Sequence, residues 1–426
     1  MECDILVVGA GIMGLSTAYY LKKQDPKKNI LVIDKYAGPG QGNSAKSEGG
    51  FRNMFTSNTN YTLADTSIDF FFHMQEEMGY DLKLEPIGYM WLYSEDQYER
   101  LKPAIEEMKV RGIELTVYNR SEIEEMIPCL MTDFGGDEEA ELLGLKNIDY
   151  GVFGKKCGSL DADALVRAYE AEYLKLGGKV QYNTEVTKIH VKPELELGIP
   201  GEPFVWQKKM ITGVDTSKGE ITAETTIIAC GVWASTLLDP IGLDSYMRPK
   251  KRQLFAFKDP KVEPIMRTTG LNHEGALPLT ILPTANILLK SELTEGSIWL
   301  GCADWIPRKF ELEEDPQSEE DYYTNNVYHA LVMYFPEFED VRPMNSWAGQ
   351  YAINSFDESP VIYKEQGLLY IGAGSGSGIM KSDALGRIAS ALYYDIEDAE
   401  LYGGRTFKVA DLGVHHRNIE PEKFVI

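Results

Sequence analysis

Near its start the chain reads "VVGAGIMGLSTAYYL", with glycines at positions 9, 11 and 14 between an apolar run and a helix-like stretch. That spacing suits a dinucleotide. Gly9 permits the tight turn, Gly11 lets the backbone approach a pyrophosphate, and Gly14 lets the following helix pack on the strand. Ile12 and Met13 open that helix, whose free N–H groups and positive dipole end serve the phosphates. "NILVIDK" reads as the next parallel strand and ends at Asp34, where a carboxylate can accept hydrogen bonds from a ribose; Lys35 follows it. An acid here argues against a 2′-phosphate, and so against NADP, which leaves FAD and NAD.

A second glycine cluster, "GAGSGSGIMKSDALGR", occupies residues 372 to 387. It lies between an apolar strand over 368–371 and a helix expected over Lys381 to Tyr394, with Gly372 to Gly378 as the turn. Gly374, Gly376, Ser377, Gly378, Ile379 and Met380 surround this second helix start, and Lys381 follows. A flavin uses such donors twice: once for its pyrophosphate and once for the N1/C2-carbonyl end of the ring, which gains negative charge on reduction. NAD uses only the first, so the pair of loops selects FAD.

Midway, "TTIIACGVWASTLLDPIG" reads as a buried strand ended by Ala229 and Gly231, then a small-residue turn carrying Trp233. Together the three motifs resemble the D-amino-acid oxidase and sarcosine oxidase (DAO) superfamily of FAD enzymes, over nearly the whole chain. A closer likeness is to the dye-linked L-proline dehydrogenases of hyperthermophilic archaea. It rests on "RPKKR" at 248–252, "NSAKSEGGFRNMF" at 43–55, "SGSGIMKSD" and "ELYGGRTFKVADLG".

The resemblance implies roles for particular residues. Ser44, Ala45 and Lys46 would lie along the ribityl chain and flavin, and Val186, in "YNTEVTKI", would meet adenine through its backbone. Arg52 and Lys381 are the catalytic candidates. Arg52 would fork onto the substrate carboxylate, and Lys381 would sit near flavin N1, orienting substrate and favouring the reduced ring. One departure matters: the strand "SIWLGC" places Trp299 where monomeric sarcosine oxidases carry a lysine that promotes reaction with oxygen, with Lys290 on the preceding strand as a substitute. At face value this favours a dehydrogenase. No cysteine matches a covalent flavin attachment, so bound, non-covalent FAD is expected.

These residues need elements to hold them. The motifs predict an α/β (α+β) fold: a Rossmann-like, discontinuous FAD-binding domain from residues 1–80, 150–244 and 340–426. Residues 81–149 and 245–339 would form a mixed β-sheet substrate-binding domain, built from strand-like stretches such as "IGYMWLY", "QLFAFK" and "NILLK". The acidic runs "GDEEAE" and "ELEEDPQSEED" read as solvated loops or helix caps.

Composition sets the outer limits. At 426 residues the chain exceeds one hydrophobic core, and 43% hydrophobic residues suffice for a packed interior. With 42 basic against 66 acidic residues the net charge is −24, which argues against nucleic acid and anionic membranes as partners. Five scattered cysteines read as core residues, and with six dispersed histidines they give no metal site. No apolar run reaches the roughly 20 residues of a transmembrane segment, and the strand at the N-terminus leaves no room for a signal peptide, so a cytoplasmic protein is expected.

The expected function is FAD-dependent dehydrogenation of L-proline, with hydride passing to flavin N5, a pyrroline carboxylate as product, and a dye or quinone-type electron acceptor. Alternatives are an oxidase or dehydrogenase for sarcosine, glycine or another amino acid, and a flavin-holding subunit of a larger complex. Oligomeric state is left open.

Overall fold

The computed structural model describes residues 1–303 and 308–423. Its first sheet has eight strands. The central strand β1 (Glu2–Val8) pairs in parallel with β2 (Ile30–Ile33) on one side and with the Gly219–Ile228 strand on the other. Beyond these lie Lys179–Gln181 and Leu368–Gly372, also parallel, and an antiparallel edge strand, Val361–Glu365. β1 is apolar on both faces because both are covered. Ile5 and Val7 pack under helix α1 (Ile12–Gln24) and the Ala162–Lys175 and Ser382–Tyr393 helices. Leu6 and Val8 pack against Ile189, Ile211 and Val214 of an antiparallel hairpin and against Ala234 and Leu238.

Register decides where function sits. Val8 pairs with Ile33 and Ile228, and Ile228 pairs with Tyr370. The strands therefore end level, and the loops that start at Gly9, Asp34, Ala229 and Gly372 leave the same carboxyl edge, where ligands of open α/β sheets bind.

The two glycine turns lie far apart in sequence and are brought together by α1 crossing the Ser382–Tyr393 helix. Gly386 makes the close approach possible, since a Cβ there would fall 2.9 Å from the backbone carbon of Ser16. The crossing is pinned by Asp383, fully buried, which accepts hydrogen bonds from Tyr20 on α1, from Tyr169 Oη at 3.0 Å and from Arg387 Nε at 2.8 Å. Burial pushes the Asp383 carboxyl up, while Arg387 opposes that.

The second sheet also has eight strands and is mixed: only the Tyr89–Tyr93 and Leu279–Ile281 pair is parallel. The expected boundaries at 150 and 340 are corrected here. Tyr150–Gly154 and Asn345–Asn354 belong to this sheet, the latter paired along its whole length with Met247–Phe257, from Asn345↔Ala256 to Asn354↔Met247. Ten residues of continuous pairing outweigh proximity in sequence to the second glycine turn.

Strand alternation sorts this sheet into two faces. Phe255, Phe257, Leu289, Ile298 and Leu300 pack against Tyr322, Leu331 and Tyr334 in a core of their own. The opposite parity sets Arg252, Leu254, Leu288, Lys290, Trp299, Gly301 and Gly349 on the other face, since Leu254 and Leu288 both pair with Gly301, Arg252 with Gly349 and Lys290 with Trp299.

Two substitutions test the crossing by urea unfolding. Gly386→Ala should cost about 1–3 kcal/mol through overpacking, and Asp383→Ala about 3–5 kcal/mol, because it leaves Arg387 unpaired in the interior. A smaller loss for Asp383→Ala than for Gly386→Ala would show that close approach, not the polar network, holds the crossing.

Candidate active site

A cavity of about 320 Å³ runs between the carboxyl edge of the first sheet and the Arg252 face of the second, within the usual size range of ligand sites. Gly9, Gly11, Ile12 and Met13 line one part of it. Gly9 has φ of +111°, and a Cβ on it would lie 2.6 Å from the Ala229 carbonyl oxygen. Gly14 lies behind this wall and does the packing expected of it, since its Cβ would fall 1.8 Å from the Gly9 oxygen. α1 has no acidic residue in its first turn and no capping side chain on Gly11, and Ser44 Oγ accepts from Ile12 N at 3.2 Å. A helix start without an acid, open to a cavity, fits a pyrophosphate.

Asp34, Lys35, Val186, Ala229, Gly231 and Trp233 line the adjoining part. The Asp34 carboxylate already accepts from Ala10 N at 2.6 Å and Tyr36 N at 2.8 Å, which fixes it and leaves lone pairs for a hydroxyl. The Lys35 ammonium stands 4.4 Å from the Trp233 ring and pairs with Glu314, which also accepts from Trp233 Nε1 at 3.1 Å. Glu314 belongs to the acidic run "ELEEDPQSEED", which is a solvated loop as expected, with Glu314 67% and Asp315 81% exposed, yet its acids also reach cations around the cavity. Asp315 pairs with Lys46 at 3.5 Å, while Glu313 and Glu319 pair with Lys251 at 3.4 and 3.1 Å. The run is a strap across the cavity, held by cations from both sheets' connections. The signal available in sequence was complementarity between this run and the bases of "RPKKR".

In the 43–55 segment Ser44 and Lys46 line the cavity, whereas Ala45, between them, points to solvent with its N–H on the Gly40 carbonyl at 2.9 Å. Gly374, Gly376, Gly378, Ile379 and Met380 line the opposite side. A Cβ on Gly376 would strike the Tyr351 ring at 2.7 Å. Ser377 turns inward instead, and its Oγ accepts from Lys381 Nζ at 2.6 Å.

The two catalytic candidates meet each other but do not line this cavity. Lys381 is buried, donates to Asn60 Oδ1 at 2.7 Å as well as to Ser377, and its ammonium lies 4.8 Å from the Phe55 ring. The Arg52 guanidinium stacks on the same ring at 4.0 Å and donates to the Met54 carbonyl. Burial, then the charge of Arg52, pushes the Lys381 amine down to about 7, although Glu422 draws it up. The cavity itself carries Arg252, Tyr351 and Glu48, none of which the motifs singled out. Their signal was strand alternation, readable only once the register is known. Lys290 and Trp299 do share the cavity face, with the ammonium 4.6 Å from the indole, but Lys290 is engaged by the Glu48 carbonyl at 2.5 Å and by Glu292 at 2.6 Å. Cys302 is a core residue as expected and Cys230 packs against the core of the first sheet; both also border the cavity, and burial pushes the Cys230 thiol up to about 12.

The profile described as FAD dependent oxidoreductase (DAO) matches residues 4–392. Across 92% of its length the chain is 22% identical to 79% of the FAD-dependent oxidoreductase domain-containing protein 1 of Xenopus laevis. It is 21% identical to the sarcosine oxidase subunit beta of Rhodobacter capsulatus, covering 89% of this chain and 81% of that one. The crystal structure of L-proline dehydrogenase from P. horikoshii superposes with a TM-score of 0.73 at 21% identity, covering 92% of this chain and 94% of the other. With two glycine turns and a nucleotide-shaped cavity on a matching fold, the chain belongs to the DAO family of FAD-dependent oxidoreductases and takes FAD as its cofactor.

Proposed function

We propose that this FAD-dependent, amino-acid-type oxidoreductase is a dehydrogenase, with L-proline as its substrate and a pyrroline carboxylate as its product. FAD bound in the cavity supplies the hydride acceptor. The observation that carries the reading is the far end of the cavity, where Arg252 stands among Leu254, Leu288, Trp347 and Tyr351. A guanidinium beside apolar and aromatic side chains suits a compact apolar ring bearing one carboxylate, and it holds that carboxylate in a fixed plane. Fixing it lets the C–H bond beside the nitrogen point at the acceptor. Likeness of fold to an L-proline dehydrogenase supports the choice of substrate. Sarcosine and glycine are the competing substrates, favoured by relatives named sarcosine oxidase subunit beta and glycine oxidase.

Arg252, rather than Arg52, is therefore the proposed carboxylate anchor. Arg52 keeps positive charge behind the second glycine turn, and Lys381 adds to it when protonated, which favours negative charge arriving above them. The engagement of Lys290 by Glu292 and the Glu48 carbonyl supports a dehydrogenase over an oxidase. The protonated state of the buried Cys230 thiol supports non-covalent FAD. The electron acceptor is a dye in the assay or a quinone-type carrier. Among the described residues no helix is long and apolar enough to cross a membrane.

Anaerobic mixing with L-proline, D-proline, sarcosine and glycine in turn should bleach the flavin rapidly with L-proline alone; bleaching only by another amine moves the substrate, and none at all favours a flavin-holding subunit. Arg252→Ala should weaken L-proline binding about 10- to 100-fold, the worth of a hydrogen bond to a charged group, measured by flavin absorbance during titration; an unchanged Kd rejects this anchor.

Lys381 gives a separate prediction. Folded, its amine titrates near 7; unfolded, near its ordinary 10.5. Between those values the unfolded chain binds the extra proton, so this group's contribution to stability rises with pH across that window. Lys381→Met should flatten the rise in urea stability of the FAD-free protein between pH 7 and pH 10 relative to wild type, and parallel curves would contradict burial of the amine.

A further inference from the structure

The proposed reaction lacks a destination for one proton. At neutral pH an amino acid carries an ammonium, and its nitrogen must be neutral before hydride can leave the adjacent carbon. Among the carboxylates lining the cavity, Asp34 is held by two backbone N–H groups, Glu314 is paired with Lys35, and Glu185 stands beside Val186, away from the second sheet. Glu48 differs. Among the described residues its carboxyl accepts no hydrogen bond and has no cation within ion-pair distance.

Glu48 sits against the second sheet. Its Oε1 lies 3.4 Å from the point a Cβ on Gly50 would occupy, and Oε2 lies 3.7 Å from the same point on Gly301. Those two glycines keep side chains away from the carboxyl and leave it facing the cavity. Lys290, behind it, spends its ammonium on the Glu48 main-chain carbonyl and on Glu292 rather than on the carboxylate. Tyr89 and Tyr351, from two well-separated strands of the second sheet, act on it electrostatically, with Arg252 beyond Tyr351 and Arg52 beyond Tyr89. The guanidinium of Arg252 is 5.2 Å from the Tyr351 ring, whose phenol is pushed up by burial and by Glu48 and drawn down by Arg252. Tyr351 is thus flanked by an acid and a base, the charge pattern complementary to an amino-acid zwitterion.

We propose that Glu48 accepts the ammonium proton of the substrate whose carboxylate rests on Arg252. This rests on the reading of the chain as an amino-acid dehydrogenase. The nitrogen–hydrogen bond breaks, its electron pair stays on nitrogen, and the proton forms an O–H bond on Glu48. The neutral amine can then give up hydride, which bound FAD would accept; the carbon–nitrogen pair, two electrons poorer, is left as a protonated iminium, whose remaining N–H proton goes to solvent when the neutral pyrroline forms. Burial supports the role, since it pushes the Glu48 carboxyl up to about 7 against the pull of Lys290.

The test uses the FAD-loaded protein. Without substrate, the flavin-absorbance transition of wild type near pH 7 should shrink in Glu48→Gln to the part that Lys381→Met removes, and an undiminished transition overturns the assignment. With L-proline, the anaerobic reduction rate of wild type should fall below pH 7. In Glu48→Gln that limb should move up by about three pH units, toward the pKa of a free amine, and Glu48→Asp should restore it. Wild type alone offers a second readout that survives if the variants fail to hold FAD. Tetrahydrofuran-2-carboxylate, with oxygen in place of the nitrogen, should bind more weakly above pH 7, whereas L-proline should bind more tightly; the same trend for both overturns the assignment.

An unchanged limb in Glu48→Gln overturns Glu48 and leaves the substrate reading intact. Bleaching by a different amino acid, with the limb shifted as described, overturns L-proline and upholds Glu48. No bleaching by any amino acid overturns both.

Discussion

Everything in this site depends on one helix crossing. α1 and the Ser382–Tyr393 helix start the two glycine turns, and neither turn alone makes a flavin site. They become one because Gly386 lets the helices touch at Ser16, and because Asp383 collects hydroxyls from Tyr20 and Tyr169 and the guanidinium of Arg387. A buried carboxylate is costly unless several donors satisfy it, so the network favours a single arrangement of three helices over looser alternatives. The glycine turns then inherit their separation from the helices rather than from their own loops.

The cofactor end was legible in the sequence because its chemistry is local. Gly9, Gly14 and Asp34 act within one βαβ unit, and their spacing alone states what each must do. The substrate end was not. Arg252, Glu48 and Tyr351 come from three separate segments, and they converge only through pairings such as Arg252↔Gly349 and Leu254↔Gly301. A shift of one residue in that register would turn Arg252 to the opposite face. Arg52 shows the converse: its type and neighbourhood suggest carboxylate binding, and sequence alone does not tell that its guanidinium stacks on Phe55 and donates to the Met54 carbonyl.

Electrostatically the cavity is graded along its length. Its nucleotide end is ringed by α1's acid-free N-terminus and by ion pairs such as Lys35 with Glu314. Its other end holds groups whose charge is adjustable, Glu48 in the wall and Lys381 behind it, both moved toward neutrality by burial. Binding is assigned to groups that stay charged, and proton traffic to groups that do not. In a chain of net charge −24, the bases Lys35, Lys46, Lys251 and Arg252 concentrate around the one place where anionic ligands must stay.

The acidic strap gives this arrangement a history as well as a shape. It follows every strand of the second sheet but Asn345–Asn354 in sequence, and its ties to Lys35, Lys46 and Lys251 close over the nucleotide end. A growing chain therefore makes most of both walls before the strap exists, though not yet the Asn345–Asn354 strand or the second glycine turn. The nucleotide half of FAD has its seat early and the ring receives its seat last. Once the strap has closed, escape requires several ion pairs to open together. Salt screens such exposed pairs, so the strap's share of cofactor retention should fall as ionic strength rises while the share held by the glycine turns stays.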